Sequence, residues 1–313
     1  MIKIQNLTKA YQKKKVVCNL TMDLENQVYG LLGPNGSGKT TLLRMLAGVL
    51  LPTAGKIEID RNSIGYLPQK FGCFPELTVK EQLEYFACLK KIPKKLHEEE
   101  IDRVLDIIHL SDRKKDACRK LSGGMVRRMG IAQALLGNPK ILLLDEPTVG
   151  LDPEERNHFH SIIYKIKGKM SIILSTHLVE DVEDLCENII ILINGQIRKA
   201  GTTEQILQEL QGRVFEIPEK QAQAFGDSVY IESHFKKENE PMARLVVLEE
   251  NLNLAETYSP CAPDVQDAYL FHVYRKLLVL GRILYKCSFS PAHLPSADLL
   301  CGIQPESAAL ADG

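Results

Sequence analysis

The amino-acid sequence predicts an α/β fold with a mainly parallel central sheet. Short, almost wholly apolar segments recur at 28–33, 140–146, 170–176 and 188–193, and helical patterns lie between them. Strands of this kind are typical of a parallel sheet that is covered by helices on both faces. A glycine-rich loop follows the first of these strands and opens a helix, which is a further feature of such folds.

The N-terminal part is predicted to add antiparallel β structure and one helix. Strand patterns occur in IKIQNL (2–7), KIEID (56–60) and SIGYLP (63–68), and Pro68 ends the last of them. KTTLLRMLAGVL (39–50) is predicted to be the helix that follows the glycine-rich loop.

An all-helical insert is predicted at about 72–135. Thr78 and Glu81 form a capping box, and helical spacing continues from there to Lys90. A second helix, HEEEIDRVLDIIHL (97–110), carries acidic residues in its first turn, where the helix dipole favours them. Strand patterns return only after the insert.

Two local signals follow the insert. Asp152 is predicted to be the N-cap of a helix that has Pro153 at its first position. Asn194–Gly195 predicts a hairpin between the strand at 188–193 and the segment QIRKAG.

Residues 213–283 are predicted to form a small α+β appendage. RVFEIP (213–218) and ARLVVLEE (243–250) have strand patterns, and 265–284 has the pattern of one helix. From Cys287 the sequence has no Lys or Arg and no clear periodicity, so 284–313 is predicted to be a poorly ordered tail.

Composition and charge exclude several classes of protein. A formal net charge of −1 gives no field that would draw the chain to nucleic acid, so no nucleic-acid partner is expected. The N-terminus lacks the apolar segment of a signal peptide, and no run approaches the ~18 apolar residues of a membrane span. The eight cysteines contain no C-x-x-C pair, which argues against a zinc site. A cytoplasmic location is therefore expected, and any membrane role would come through a partner.

GPNGSGKT (33–40) is a complete phosphate-binding motif. It satisfies G-x-x-x-x-G-K-[ST], follows an apolar strand and opens a helix, and so predicts a P-loop NTPase core. Glycines let backbone N–H groups converge on phosphate oxygens, Lys39 adds a point charge, and Thr40 offers its hydroxyl to Mg²⁺. The predicted nucleotide-binding residues of this loop are Gly33, Pro34, Asn35, Gly36, Ser37, Gly38, Lys39, Thr40 and Thr41.

Asp145 and Glu146 end the apolar strand ILLLDE. Two acids at the end of a buried strand are costly unless a cation binds nearby. Asp145 suits Mg²⁺, either as a direct ligand or through water, and Glu146 can accept a proton from an attacking water molecule.

Gln69 and His177 follow two further predicted strands. The Gln69 amide could touch the metal ion or a water molecule and relay the nucleotide state into the helical insert. His177 could donate a hydrogen bond to the γ-phosphate, which would make it catalytic together with Glu146 and Lys39. An isolated loop glutamine is more often solvated, however, and an isolated histidine at this position is more often a helix cap.

LSGGM (121–125) is a second glycine turn. Ser122, Gly123 and Gly124 precede a helical pattern, so their hydroxyl and N–H groups lie at a helix N-terminus, where anions bind. A structural helix start explains the serine but not two glycines, which cost conformational entropy. The next two basic residues, Arg127 and Arg128, are interpreted as a solvated helix face or as neighbours of a phosphate.

In order and spacing, these motifs resemble those of the ATP-binding cassette (ABC) ATPases. The resemblance rests on GPNGSGKT, Gln69, LSGGM, ILLLDEP, GLD (150–152) and His177, and it covers residues 1–212. In that family the phosphate loop of one cassette and the LSGG turn of another sandwich each ATP. The resemblance therefore implies hydrolysis of MgATP in a head-to-tail pair with a second ABC ATPase subunit, as a homodimer or a heterodimer.

The same resemblance implies two further nucleotide-site residues. Tyr11 would stack on adenine, although a plain edge-strand tyrosine is the alternative. Asp152 would lie in the loop that crosses the dimer interface.

Finer features resemble bacterial exporters whose permease is of the ABC-2 type. The commonest form of the glycine turn ends in glutamine, whereas here Met125 ends it, and RR and GIAQALL follow. PDVQDAYL (263–270) is similar to the segment that ends the appendage of those ATPases. The implied function is a subunit that powers a separate ABC-2-type permease for export, peripheral at the inner face of the cell membrane. The alternative is a non-transport ABC ATPase that acts as an ATP-gated regulatory, translation or repair module.

Overall fold

Strands and helices alternate along the chain, which the computed structural model describes over residues 2–249, 252 and 254–286. The strands are β1 (Ile2–Tyr11), β2 (Lys14–Leu24), β3 (Val28–Leu32), β4 (Ala54–Glu58), β5 (Ile64–Leu67), β6 (Ile141–Asp145), β7 (Ser171–Thr176), β8 (Asn188–Ile193), β9 (Gln196–Thr202), β10 (Val214–Pro218), β11 (Val229–Lys237) and β12 (Glu240–Val247). The helices are α1 (Lys39–Leu46), α2 (Val79–Leu89), α3 (His97–Ile107), α4 (Gly123–Leu135), α5 (Pro153–Ile166), α6 (Val179–Leu185), α7 (Thr203–Gln208), α8 (Glu219–Ala222) and α9 (Val265–Lys286).

The central sheet has the strand order β5-β6-β7-β3-β8-β9, and neighbouring strands run parallel except for β9. This order confirms the predicted α/β fold with a mainly parallel sheet. The register pairs Leu32 with Thr176 and Asp145 with Ser175, so β3, β6 and β7 end at one edge of the sheet. The loops that follow parallel strands at such an edge are where ligands bind in open α/β sheets.

Two hydrophobic cores cover the two faces of this sheet. On one face, alternate residues such as Leu142 and Leu174 pack among α4, α5 and α6. On the other face, Leu31 and Leu143 pack against α1 and against a small antiparallel sheet of order β2-β1-β4. The predicted N-terminal antiparallel β part is therefore confirmed, but β5, which lies in the predicted strand SIGYLP, joins the parallel sheet instead. Burial on both faces explains why the strands of the central sheet are almost wholly apolar.

Helices α2, α3 and α4 lie in the segment predicted to be the helical insert, and their apolar faces join the first core. The Thr78 hydroxyl accepts from the Glu81 backbone N–H, and the Glu81 carboxylate accepts from the Thr78 backbone N–H. The predicted capping box at the start of α2 is thus confirmed.

The helix start and the hairpin predicted after the insert are both confirmed. Helix α5 begins at Pro153 with Asp152 as its N-cap. Asn194 and Gly195 join β8 to β9 with φ angles of 49° and 72°. Positive φ at both central residues is what a type I′ turn requires.

The C-terminal segment forms a second antiparallel sheet, of order β10-β12-β11, with α9 packed against it. This sheet has its own small core around Phe215 and Leu245. The structure adds β11, α7 and α8, which the sequence patterns did not reveal. The predicted tail, 284–313, lies outside the described residues from 287 onward. Within the described part of the chain, no helix combines the length and the apolar character that a bilayer crossing requires.

Candidate active site

The phosphate-binding motif forms the turn between β3 and α1. Gly36 and Gly38 have φ angles of 80° and 107°, which favour glycine. At Gly38 a Cβ atom would lie 2.6 Å from the carbonyl oxygen of Val16, so the chain also passes too closely for a side chain. The Lys39 Nζ donates to the carbonyl oxygens of Gly33 and Pro34 at 2.5 and 3.3 Å. Burial lowers the Lys39 pKa, and the nearby acidic side chains partly offset that effect.

A cavity of about 300 Å³ lies over this turn. It brings the phosphate-binding motif together with two side chains from other elements, Gln69 after β5 and Glu146 after β6. Its lining residues are Val16, Asn35, Gly36, Ser37, Gly38, Lys39, Thr40, Thr41, Gln69 and Glu146.

Asp145 lies at the end of β6 and is fully buried. Its Oδ1 accepts from the Thr40 hydroxyl at 3.0 Å and from the Ser175 hydroxyl at 2.8 Å. Burial raises the Asp145 pKa, although these two hydrogen bonds oppose the rise. Its Oδ2 is buried and has no hydrogen-bond partner among the described residues. A carboxylate oxygen without a partner, beside a threonine hydroxyl, is the type of oxygen ligand that Mg²⁺ prefers.

The described residues contain no cluster of three or more His, Cys, Asp or Glu side chains that could enclose a metal ion. Mg²⁺ is usually held by one or two carboxylates together with substrate phosphates and water. The residues around Asp145 therefore fit a magnesium ion that binds with a nucleotide, and they do not fit a metal ion held by protein alone.

Glu146 follows Asp145 in a left-handed backbone conformation, with φ at 48°. Its backbone N–H donates to the carbonyl and to the hydroxyl of Ser175, both at 3.0 Å. Its carboxylate accepts from the Gln69 side-chain amide at 2.8 Å, and the Nδ1 of His177 lies 3.9 Å from its other oxygen. Gln69, Glu146 and His177 are thus neighbours at the edge where β5, β6 and β7 end.

The LSGGM turn caps α4. The Ser122 hydroxyl accepts from the Met125 backbone N–H at 3.2 Å, which is an ordinary N-cap contact. A Cβ atom on Gly124 would lie 2.3 Å from the carboxyl carbon of Glu155, whereas a Cβ atom on Gly123 would meet nothing within 4 Å. Gly124 is therefore explained by packing within the chain, and Gly123 is not. In the described part of the chain, no hydrogen bond joins this turn to the phosphate-binding motif.

The remaining predicted site residues lie apart from the cavity. Asp152 accepts from the Glu155 backbone N–H at 2.8 Å, as the N-cap of α5. Tyr11 ends β1, is 49% exposed and does not line the cavity. The Nζ of Lys9 lies 5.3 Å from the centre of its ring.

The interpretation of Arg127 and Arg128 as a solvated helix face is wrong. Arg128 is 6% exposed, and its Nε lies 3.1 Å from the carboxylate of Glu155. Arg127 donates all of its hydrogen bonds to backbone carbonyls of the segments that carry Gln69 and Glu146.

Ser175 is a site residue that sequence reasoning missed. It lies opposite Asp145 in the parallel register, and its hydroxyl contacts both Asp145 and Glu146. A signal was present, because a serine interrupts the apolar strand one residue before the strand ends at Thr176.

Comparison with known proteins agrees with this geometry. A model of the ABC transporter family matches residues 17–149. The chain is 38% identical over 228 residues to an uncharacterized ABC transporter ATP-binding protein of Bacillus subtilis, YxlF, covering 71% of this chain and 77% of that protein. It is 33% identical to the linearmycin resistance ATP-binding protein LnrL of Bacillus subtilis, covering 68% of this chain and 72% of LnrL.

Solved structures are similar as well. The dimeric post-hydrolysis structure of the ATP-binding cassette MJ0796, bound to ADP and Pi, superposes with a TM-score of 0.59 at 26% identity. That match covers 64% of this chain and 98% of the cassette. A structure of an ATP-binding subunit of an ABC transporter has a TM-score of 0.61 at 26% identity and covers 67% of this chain and 93% of that subunit. The chain therefore belongs to the family of ABC transporter ATP-binding proteins, and it is an ATPase of that family.

Proposed function

We propose that the chain hydrolyses MgATP at a site shared by two cassettes and thereby powers a separate ABC-2-type permease that exports its substrate. The observation that carries the catalytic part is the convergence of Lys39, Thr40, Asp145 and Glu146 at one edge of the sheet. The site combines the Lys39 ammonium, the oxygen atoms of Thr40 and Asp145, which suit a metal ion, and the Glu146 carboxylate. These groups lie over a backbone turn that suits phosphate.

Hydrolysis transfers the γ-phosphoryl group of ATP to water and yields ADP and phosphate. The backbone N–H groups of the motif and the Lys39 ammonium hold the phosphate oxygens in place. Thr40 and Asp145 would hold the magnesium ion, which when bound neutralises charge on the phosphate oxygens. Glu146 accepts the proton of the attacking water molecule, and Gln69 and His177 orient the water and the γ-phosphate.

The second half of the site is proposed to come from the LSGGM turn of a second cassette. Gly123 presents a backbone without a side chain to open space, and no contact within the described chain requires that glycine. A helix N-terminus that is open in this way suits a phosphate approaching from outside the chain. MJ0796 has been solved as a dimer bound to ADP and Pi, which supports a paired arrangement.

The permease is proposed to dock on an apolar surface patch of the helical region, formed by Phe74, Tyr85 and Leu89. These side chains are 50%, 45% and 60% exposed, and the Phe74 and Tyr85 rings meet edge to face at 5.5 Å. Exposed apolar groups that cluster in this way mark interaction sites. Phe74 follows Gln69 closely in the chain, so the patch is connected along the backbone to a residue that lines the nucleotide cavity. Docking there would hold the chain peripherally at the inner face of the membrane.

The division of the chain is proposed to be an ABC ATPase domain at 1–212, with a helical subdomain at about 72–135, and a C-terminal appendage at 213–283. The separate core around Phe215 supports the appendage. The Glu183 carboxylate accepts from the Val265 backbone N–H at 2.9 Å and so ties α6 to the start of α9.

Co-purification tests the transport assignment. The tagged chain, expressed in its native host and extracted from membranes with mild detergent, should recover a polytopic membrane protein. Tyr85→Glu should abolish that recovery and leave ATPase activity in the absence of the permease unchanged. Val49→Glu is the matched control, because Val49 is also exposed (69%) but lies in the turn that follows α1. Recovery of no membrane protein by the unmodified chain would favour the non-transport alternative.

A further inference from the structure

Arg127 is held in an unusually complete set of backbone contacts. Its Nε donates to the Pro147 carbonyl at 3.0 Å. Its Nη1 donates to the Pro68 and Gln69 carbonyls at 3.1 and 2.9 Å. Its Nη2 donates to the Asp145 and Glu146 carbonyls at 2.8 and 2.5 Å. A guanidinium group has five N–H donors in a fixed planar fork, and here each of them has its own acceptor.

These carbonyls belong to two segments that are far apart in sequence. One segment carries Gln69 and the other carries Glu146, and the two side chains meet at 2.8 Å. Arg127 therefore fixes the main chains on both sides of that side-chain contact. Because the guanidinium fork is rigid, neither segment can shift relative to the other without breaking hydrogen bonds to Arg127.

Glu146 needs such an anchor. Its φ angle of 48° is unfavourable for a residue with a Cβ atom, and a strained conformation persists only where its surroundings determine it. Ser175 holds the Glu146 N–H from the side of β7. Arg127 holds the Glu146 carbonyl from the side of α4.

Arg127 also lies on the helix that the LSGGM turn begins. Ser122 is the N-cap of α4, and Arg127 follows within the second turn of the helix. Hydrogen-bonded helix therefore joins the turn to Arg127, and Arg127 in turn contacts both anchored segments.

We propose that Arg127 is a positioning residue for hydrolysis: it holds Glu146 and Gln69 in mutual register and links that register to the position of the LSGGM turn. This inference rests on the proposed role of Glu146 as the group that accepts the proton from water. Arg127 does not line the nucleotide cavity, and it acts through the backbone of Glu146.

A double-mutant cycle tests the inference, with Arg127→Met, Glu146→Gln and the double variant compared with the unmodified chain. Arg127→Met should lower kcat for ATP by about 10- to 100-fold, because a small misplacement of a catalytic group is costly, and should leave the ATP KM within about threefold. In the Glu146→Gln background the same substitution should change the residual turnover by less than about twofold, since residues that act as a unit are not additive. Unchanged kcat in Arg127→Met, or losses that multiply in the double variant, would overturn the inference.

The cycle also separates this inference from the proposed function. If Glu146→Gln alone kept near-wild-type turnover, the role of Glu146 would be wrong whatever Arg127 does. If Glu146→Gln lost turnover and Arg127→Met did not, only the positioning role would be wrong.

Arg128→Met is the matched control, because Arg128 is a buried arginine on the same helix that contacts Glu155, Ile108 and His109 instead. Any effect of that substitution on turnover should be equal in the unmodified chain and in the Glu146→Gln background. An effect confined to the unmodified chain would mean that disturbing α4 at any position displaces Glu146, and it would overturn the specific role of Arg127. Arg127→Lys should restore only part of kcat, since one ammonium cannot reach both segments as a planar fork does. If Arg127→Met does not fold, the same cycle with Arg127→Lys decides the question by the same criterion.

Discussion

The Gln69 side-chain amide donates a hydrogen bond of 2.8 Å to the Glu146 carboxylate. This contact joins the loop after β5 to the loop after β6 at the rim of the nucleotide cavity. Glu146 is only 9% exposed there. The contact occupies one lone pair of the carboxylate and leaves the carboxylate oxygens other acceptor sites. Glu146 is therefore oriented toward the cavity and still able to accept a proton there.

Replacement of Glu146 by Gln should separate binding from turnover. The amide has the same shape, so the Lys39 and backbone contacts to ATP persist, but it cannot accept the proton of the attacking water molecule. We expect turnover to fall by about 10²-fold or more, with ATP affinity within a few-fold of that of the unmodified chain. Steady-state phosphate release and equilibrium ATP binding measure the two quantities. Near-wild-type phosphate release would exclude Glu146 as the proton acceptor.

Replacement of Asp145 by Asn should weaken magnesium binding and leave the stability of the nucleotide-free chain equal or higher. Burial raises the Asp145 pKa, so the folded chain is penalised above the ordinary aspartate pKa of about 4, where the carboxylate is ionised. The asparagine variant without nucleotide should therefore have an equal or higher Tm at pH 7–8, and this difference should vanish below about pH 4. The rise in Tm on adding ATP with Mg²⁺ should shrink, and turnover should fall by about 10²-fold.

Differential scanning fluorimetry with ATP, with and without EDTA, distinguishes these effects. The unmodified chain should lose part of its ATP-induced stabilisation when EDTA is present, and Asp145→Asn should lose little. An equal response to EDTA in both proteins would remove Asp145 from the magnesium site.

The sequence was sufficient to predict that several residues of the site lie at the carboxyl ends of the central strands. Lys39, Asp145 and His177 each end or follow an apolar strand of a parallel sheet, and parallel strands present their carboxyl ends at one edge. The role of Arg127 could not be predicted, because its partners are backbone carbonyls, which leave no trace in the residue types. Strand β11 was missed for a different reason: serine, histidine and lysine interrupt the apolar alternation that would have indicated a strand.

A buried acid, Asp181, accepts from the hydroxyl of Thr148, after Glu146, and from the hydroxyl of Thr176, before His177. It is fully buried and also accepts from Arg156 at 2.7 Å and from His160 at 3.1 Å. Burial alone would raise the Asp181 pKa, but the hydrogen bonds and the Arg156 charge together hold it below the ordinary value.

Asp181→Asn should therefore destabilise the fold in a pH-dependent way. An acid with a lowered pKa contributes stability that is complete above the pKa of the unfolded chain, about 4, and that is lost as the pH falls further. We expect a loss of about 2 kcal/mol of unfolding free energy at pH 7, which shrinks toward pH 3.5. Urea unfolding from pH 7 down to about pH 3.5 measures the difference. A difference that is constant with pH would mean that the ionised form of Asp181 contributes nothing.

The two glycines of the LSGGM turn should respond in opposite ways to alanine. At Gly124 the added Cβ atom would displace the Glu155 side chain, which is paired with the buried Arg128. We expect Gly124→Ala to cost about 1–3 kcal/mol of stability. At Gly123 the added Cβ atom meets only open space, so stability should be unchanged or should rise by up to about 1 kcal/mol, since alanine restricts the unfolded chain.

Although Gly123→Ala should not lower stability, it should lower turnover. If its open side receives the phosphate of an ATP held by a second cassette, the extra methyl group lies in the path of that phosphate, and turnover should fall by about tenfold or more. Light scattering in the Glu146→Gln background should then show a weaker ATP-dependent dimer for Gly123→Ala, while ATP binding to the monomer is retained. A stable Gly123→Ala variant with full turnover would mean that the turn is only a helix start, and that the second cassette binds ATP through other residues.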